Sequence, residues 1–163
     1  MKRIIVIGSP GSGKTTFSEK LQAKINLPLY YLDAIWHRAD RTHISREEFD
    51  HKLSCILNKE QWIIDGNYSR TLERRIEACD TVYLFDLPSD VCLEGAIKRL
   101  GQKRIDMPWI DYELDPWLKN EIETFKTQNL PTIYKILEKY SDKNVIIFHS
   151  RKEADDYLLG EII

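Results

Sequence analysis

At 163 residues the chain is long enough to bury one core and too short for two ordinary domains. With 42% apolar and 31% charged residues it has a globular composition, without the long apolar run of a membrane span or a signal peptide, so it is expected to be cytoplasmic. A formal net charge of −2 excludes a global attraction to nucleic acid or to anionic membrane; any such binding would need a local patch, such as Lys98, Arg99, Lys103 and Arg104, or Arg70, Arg74 and Arg75.

The first element is the apolar run Ile4-Ile5-Val6-Ile7, which reads as a central strand of a parallel sheet. It leads into Gly8-Ser9-Pro10-Gly11-Ser12-Gly13-Lys14-Thr15, a match to G-x-x-x-x-G-K-[ST]. A helix from about Gly13 to Ile25 follows, with Phe17, Leu21 and Ile25 on one face. Strand, glycine-rich loop and helix in that order predict a loop that cradles the phosphates of a nucleoside triphosphate, with backbone groups from Gly8 through Thr16 facing the anion. Lys14 reaches the β- and γ-phosphates, and the Thr15 hydroxyl is placed to ligate Mg²⁺.

Leu29 to Leu32 reads as a second strand ending at Asp33, followed by a polar stretch with Trp36, His37, Arg38 and Arg41. Ser45 with Glu48 forms a capping box for a helix whose apolar face is Phe49, Leu53, Ile56 and Leu57. Trp62-Ile63-Ile64 is a third strand, ended by Asp65-Gly66-Asn67; Tyr68-Ser69 then turns into a short helix bearing Arg70, Arg74 and Arg75. Thr81 to Phe85 is a fourth strand, stopped by Asp86-Leu87-Pro88 and followed by a helix capped by Ser89 and ended at Gly101. The pattern is then lost up to Pro116, as expected of a functional cover. Pro116 starts a helix that Pro131 interrupts, Val145 to Phe148 is a fifth strand, and Ser150 with Glu153 caps a last helix. The three cysteines, Cys55, Cys79 and Cys92, have no metal-ligand or disulfide spacing and read as small core residues, and the four histidines have no metal-ligand spacing either.

Alternating strands and helices predict a doubly wound, mainly parallel five-stranded α/β sheet that binds ligands at the carboxyl ends of its strands. That rule gathers the loop, Asp33, Asp65 to Asn67, Asp86, and His149 with Ser150 into one crevice. Asp33 and Asp65 are candidates for holding Mg²⁺ through water or for accepting a proton from a substrate hydroxyl, and their residue types do not rank them. Asp86 is better read as a turn residue. Arg99 and Arg104 can bring positive charge to a phosphoryl group in flight, or else form a solvated basic helix end. Arg70 and Arg74 share a helix face and can clamp an acidic acceptor, or else lie exposed. Trp36, Tyr68, Trp109 and Trp117 read as packing residues before ring-stacking ones.

Leu27-Pro28-Leu29-Tyr30-Tyr31-Leu32-Asp33, the run from Trp62 through Leu72, and the strand ending Asp86-Leu87-Pro88 resemble the FlaR-type DNA topology modulation proteins, which are adenylate-kinase-like P-loop NTPases. The likeness covers nearly the whole chain. It implies a single P-loop kinase-like domain over 1–163 that binds ATP, with a substrate-side helical insert at 36–60 and a helical lid at 100–115. The wider adenylate and shikimate kinase group is similar more loosely. Asp65-Gly66 stands where adenylate kinases have Asp-Gly-Phe-Pro-Arg, with Asn67, Tyr68 and Ser69 departing from that motif and Arg70 displaced by one position. Asp33 stands where shikimate-type kinases place an acid, and Arg99 and Arg104 fall near the lid arginines of the group. Three functions follow. One is an ATP·Mg²⁺ kinase acting on a nucleotide or small hydroxylated acceptor held by Asp33, Asp65, Asn67, Tyr68, Arg70 and Arg74. The others are an ATP-dependent regulator that binds DNA or a protein, and a simple NTPase.

Overall fold

The computed structural model describes residues 1–160. Its five strands are β1 (Arg3–Gly8), β2 (Leu29–Tyr31), β3 (Trp62–Asp65), β4 (Thr81–Phe85) and β5 (Asn144–Phe148). The helices are α1 (Lys14–Ile25), α2 (Leu32–Trp36), α3 (Arg46–Leu57), α4 (Ser69–Ala78), α5 (Ser89–Lys98), α6 (Pro116–Gln128), α7 (Leu130–Lys139) and α8 (Arg151–Leu159). All strand pairs are parallel, in the order β2-β3-β1-β4-β5. None of these helices is long and apolar enough to cross a membrane.

The apolar runs are continuous because the central strands are covered on both sides. Ile5, Ile7, Ile64, Val82 and Leu84 face α3, α4 and α7, meeting Phe49, Leu53, Leu72, Ile76, Ile133 and Leu137. Ile4, Val6, Ile63, Tyr83 and Phe85 face the other way, where Phe17 and Leu21 of α1, Cys92 of α5 and Ala154 of α8 complete the layer. The chain runs from β1 outward to β2 and β3 on one side, then to β4 and β5 on the other. The connection after β1 therefore opens where the winding reverses, the place at which such sheets take their ligands.

Both serines cap their helices, with the Glu48 N–H donating to Ser45 Oγ at 3.1 Å and the Glu153 N–H to Ser150 Oγ at 3.1 Å, but the boxes stay half-made: the Glu153 carboxylate accepts the His149 N–H instead and Glu48 pairs with Lys52. Four local expectations change. Leu32 and Asp33 lie in the short helix α2 rather than in and just after a strand, because Leu32 is drawn into the core as β2 ends. Pro88, not Ser89, holds the N-cap position of α5, and no side chain caps that helix. Cys55 is exposed on α3, whereas Cys79 and Cys92 are buried. The stretch between Arg99 and Asp115 contains no helix, since Gly101 adopts a φ of 74° after α5 and Pro108 follows in an irregular run.

Candidate functional site

α1 begins at Lys14, immediately after the glycine-rich turn, with Gly13 at its N-cap; no side chain caps it and no acid stands in its first turn. Its leading N–H groups and positive dipole end are left for an anion. Asn67 fixes the start of the loop: Gly8 N–H donates to its Oδ1 at 2.9 Å and its Nδ2 donates back to the Gly8 carbonyl at 2.5 Å. Gly11 has a φ of 75°, and a Cβ there would meet the Cys92 carbonyl oxygen at 2.0 Å, so α5 packs directly on loop backbone. Lys14 is tied only weakly, its Nζ lying 3.4 Å from the Ser9 carbonyl.

β3 lies beside β1 with Val6 paired to Asp65, which brings this carboxylate beneath the loop. Asp65 Oδ2 accepts the Thr15 hydroxyl at 2.7 Å, and Oδ1 is buried without a hydrogen-bond partner. Burial pushes the Asp65 carboxyl up to about 6, against the pull of Lys14 and of the Thr15 hydrogen bond; Asp33 and Asp106 push the same way as burial. A buried carboxylate oxygen with no donor, close to Lys14, suits a hydrated cation. Thr15 and Asp65 thus fit Mg²⁺, which takes one or two protein oxygens and fills the rest of its shell with water and phosphate.

Asp33, in the first turn of α2, accepts the Tyr68 hydroxyl at 2.8 Å. Tyr68 has a φ of 37°, an uncommon backbone for a side chain of this size, and its phenol is held protonated by burial and by the Asp33 carboxylate. The strain is supported from below. Arg75 is fully buried and donates to the carbonyls of Gly66, Asn67 and Tyr68. It belongs to the scaffold of the turn after β3 and not to an exposed basic face. Arg70 and Arg74 also turn towards α3. Arg70 makes a two-pronged pair with Asp50 at 3.0 and 2.7 Å, and Arg74 donates to Ser54 Oγ at 2.8 Å.

The segment after α5 folds back over the loop. A cleft of about 630 Å³ lies between them, lined by Gly13, Lys14, Thr15, Arg99, Arg104 and Asp106. Arg104 is held by Asp106 through Nε to Oδ1 at 3.0 Å and Nη2 to Oδ2 at 2.5 Å, with the acid 3% exposed. Burial, and then the neighbouring Arg104, make Arg99 easier to deprotonate than a free guanidinium, the mark of a cation drawn out of water beside a like charge. The far part of the segment rests on the stretch after α2: Trp109 meets His37 edge-on at 5.0 Å, and the Arg41 guanidinium sits 5.1 Å above Trp109. Burial lowers the basicity of His37.

Trp36 stacks on His43 and Tyr68 on Phe49, so both rings pack within the protein, whereas Trp117 is 70% exposed on α6. Asp86 accepts Tyr134 Oη at 3.0 Å and pairs with Lys126 at 3.2 Å, tying α6 and α7 to the end of β4. Two residues of this region carry no motif signal. Asp106 is hidden among ordinary polar residues, and Arg151 looks like part of a helix start. Only the contacts of the folded chain reveal them.

The sequence matches no protein-family profile and no curated protein. Solved structures do match. A shikimate kinase from Bacteroides thetaiotaomicron superposes with a TM-score of 0.59 at 19% identity, covering 97% of this chain and 94% of that one. A sugar kinase from Janibacter sp. HTCC2649 gives 0.58 at 15% identity over 98% and 91%. A shikimate kinase from Aquifex aeolicus vf5 gives 0.53 at 18% over 96% and 91%. The fold is one that these kinases share. The five-stranded parallel sheet expected from the sequence is present, with the glycine-rich loop between β1 and α1.

Proposed function

We propose that the protein is a kinase that transfers the γ-phosphoryl group of ATP, with Mg²⁺, to a hydroxyl of a small acceptor. The observation that carries this reading is the cleft lined by Lys14 and Thr15 of the phosphate loop together with Arg99, Arg104 and Asp106 of the segment after α5. A phosphoryl group leaving ATP spreads negative charge over its oxygens and is lost to water unless the site is covered. A lid serves that need directly; a bare NTPase has less use for one.

The roles follow from position. The Gly8–Thr16 loop holds the phosphates by its N–H groups, and Lys14 follows the transferred group. Arg99 adds charge from the lid, with Arg104 oriented beside it by Asp106. Thr15 and Asp65 would hold the metal, with Asp33 within electrostatic reach of Asp65. Mg²⁺, when bound, neutralises charge on the β- and γ-phosphate oxygens. Asp33, oriented by Tyr68, accepts the proton of the acceptor hydroxyl.

The acceptor side favours a hydroxylated compound over a nucleoside monophosphate. Arg70 is committed to Asp50 and Arg75 to backbone carbonyls, which leaves the helix after β3 only Arg74, bonded once to Ser54, to meet a second phosphate. Similarity to a sugar kinase and to shikimate kinases in fold agrees with this choice. ADP release from ATP·Mg²⁺ is to be measured across sugars, polyols, hydroxy acids and nucleoside monophosphates. Acceptor-dependent release is expected with a hydroxylated compound, and its absence across the panel overturns the reading. Regulation of DNA topology, the activity attached to the resembled family, would instead give salt-sensitive retention on DNA.

A further inference from the structure

The carbonyl groups of a phosphate loop point outward when its N–H groups point in, and each outward carbonyl needs a donor if the peptide planes are to stay put. In this chain that donor comes from the far end of the sequence. Arg151, the first residue of α8, sends Nη2 to the Gly11 carbonyl at 2.8 Å and Nε towards the Ser12 carbonyl at 3.3 Å. The same Nη2 also reaches the Val91 carbonyl of α5 at 3.0 Å. No carboxylate pairs with Arg151 among the described residues; its hydrogen bonds go to backbone oxygens.

Space has been cleared for this arm. A Cβ on Gly95 would stand 2.4 Å from Arg151 Nη2 and 2.2 Å from the Gly11 carbonyl. The guanidinium thus lies in a slot between loop and α5 that Gly95 leaves open. Fixing the Gly11 and Ser12 carbonyls fixes the peptide planes whose other ends are the Ser12 N–H, which closes the loop's turn onto the Ser9 carbonyl at 3.2 Å, and the Gly13 N–H, at the approach to α1.

We infer that Arg151 is a positioning residue, which holds the phosphate loop in its anion-binding shape by engaging the Gly11 and Ser12 carbonyls from behind. The inference rests on the nucleotide reading of the loop, though not on any acceptor. It also separates two roles open to an arginine at this place, since Arg151 lines the same cleft as Lys14 and could in principle touch a base rather than shape the loop.

The test uses two probes on the full chain, ATP·Mg²⁺ and inorganic tripolyphosphate with Mg²⁺, which has no base. Calorimetric affinities are measured for wild type, Arg151→Met and Arg151→Lys, with thermal midpoints alongside. Loop positioning predicts that Arg151→Met weakens both probes by the same factor, tenfold or more, and that Arg151→Lys recovers part of the loss for both. A loss confined to ATP overturns the inference in favour of base contact. Unchanged affinity for both probes in a folded variant overturns it outright. If Arg151→Met does not fold, Arg151→Lys is judged by the same criterion; failure of both to fold also overturns it, because holding the domain together would then be the residue's role. Wild-type binding of both probes without any acceptor-dependent transfer would sink the kinase reading and leave this inference standing.

Discussion

Thr15 donates its hydroxyl to Asp65 at 2.7 Å, and this single bond joins the phosphate loop to the strand beside it while leaving the second Asp65 oxygen buried and unpartnered. The carboxyl of Asp65 is pushed up to about 6, chiefly by burial. The kcat/KM for ATP·Mg²⁺ should therefore fall on the acid side with a midpoint near 6, because the protonated acid cannot support a cation. Asp65→Asn should be at least a hundredfold slower and lack that limb. A pH–rate profile of the two proteins checks this.

The same shift has a stability consequence of opposite sense. Between the ordinary carboxylate value of 3.8 and about 6, the folded state holds a proton that the unfolded state has released, so this group's contribution to stability falls as pH rises through that window. At pH 7 the ionised, buried carboxylate is a burden of up to about 3 kcal/mol. Asp65→Asn should accordingly raise the urea midpoint at pH 7 and leave it nearly unchanged at pH 4. An equal change at both pH values would show that the carboxyl is not held in its acid form.

Lys14 is the converse case, a residue with much chemistry and little structure. Its Nζ has one long contact, to the Ser9 carbonyl at 3.4 Å, while its charge favours the ionised form of the buried Asp65 carboxyl, so Lys14→Ala removes a counter-charge without opening the core. Stability at pH 7 should fall by no more than about 1 kcal/mol. Phosphoryl transfer should fall by about 10²–10³ or more, the scale of losing one charged transition-state contact. Turnover and thermal midpoint on one preparation are enough to see both.

Arg75 reverses that balance. Arg75→Met removes the donors to the Gly66, Asn67 and Tyr68 carbonyls inside the protein. Unsatisfied buried carbonyls cost about 1–3 kcal/mol each, partly relieved by rearrangement, so a loss of about 3–5 kcal/mol in urea unfolding is expected. Because those carbonyls belong to the turn that aims Tyr68 at Asp33, any folded Arg75→Met protein should also show a raised acceptor KM.

Gly11→Ala should weaken ATP binding without removing any contact to it. The added Cβ would lie 2.0 Å from the Cys92 carbonyl, and α5 must move away from the loop to admit it. A tenfold or greater rise in the ATP dissociation constant is expected, measured by titration calorimetry. Gly101→Ala is the control for glycine loss in general: its Cβ would meet nothing within 4 Å, although its φ of 74° remains unfavourable, so ATP affinity should hold while stability drops slightly.

The sheet and the loop were legible because they depend on short-range patterns. Apolar runs of four residues, a glycine-lysine-threonine signature and Ser-x-x-Glu caps each act within one turn or one strand. The site's supporting residues were not legible, because their meaning depends on partners far away. Arg75 resembles its neighbour Arg74 in sequence, yet one is fully buried against backbone carbonyls and the other exposed. Asp33 was expected after a strand and lies on a helix because Leu32 turns into the core first. Asp106, two residues from Arg104, is buried by the folding-back of a segment with no periodicity to announce it.

The loop that signs the chain at residues 8–15 takes its support from Asn67 and from Arg151, and the edge strand that delivers Arg151 begins only at Asn144. During synthesis the signature emerges well before Arg151, the residue that engages the Gly11 and Ser12 carbonyls. A nascent chain thus carries the loop for a time without that brace, so nucleotide should stabilise the folded domain far more than a fragment that stops short of Asn144.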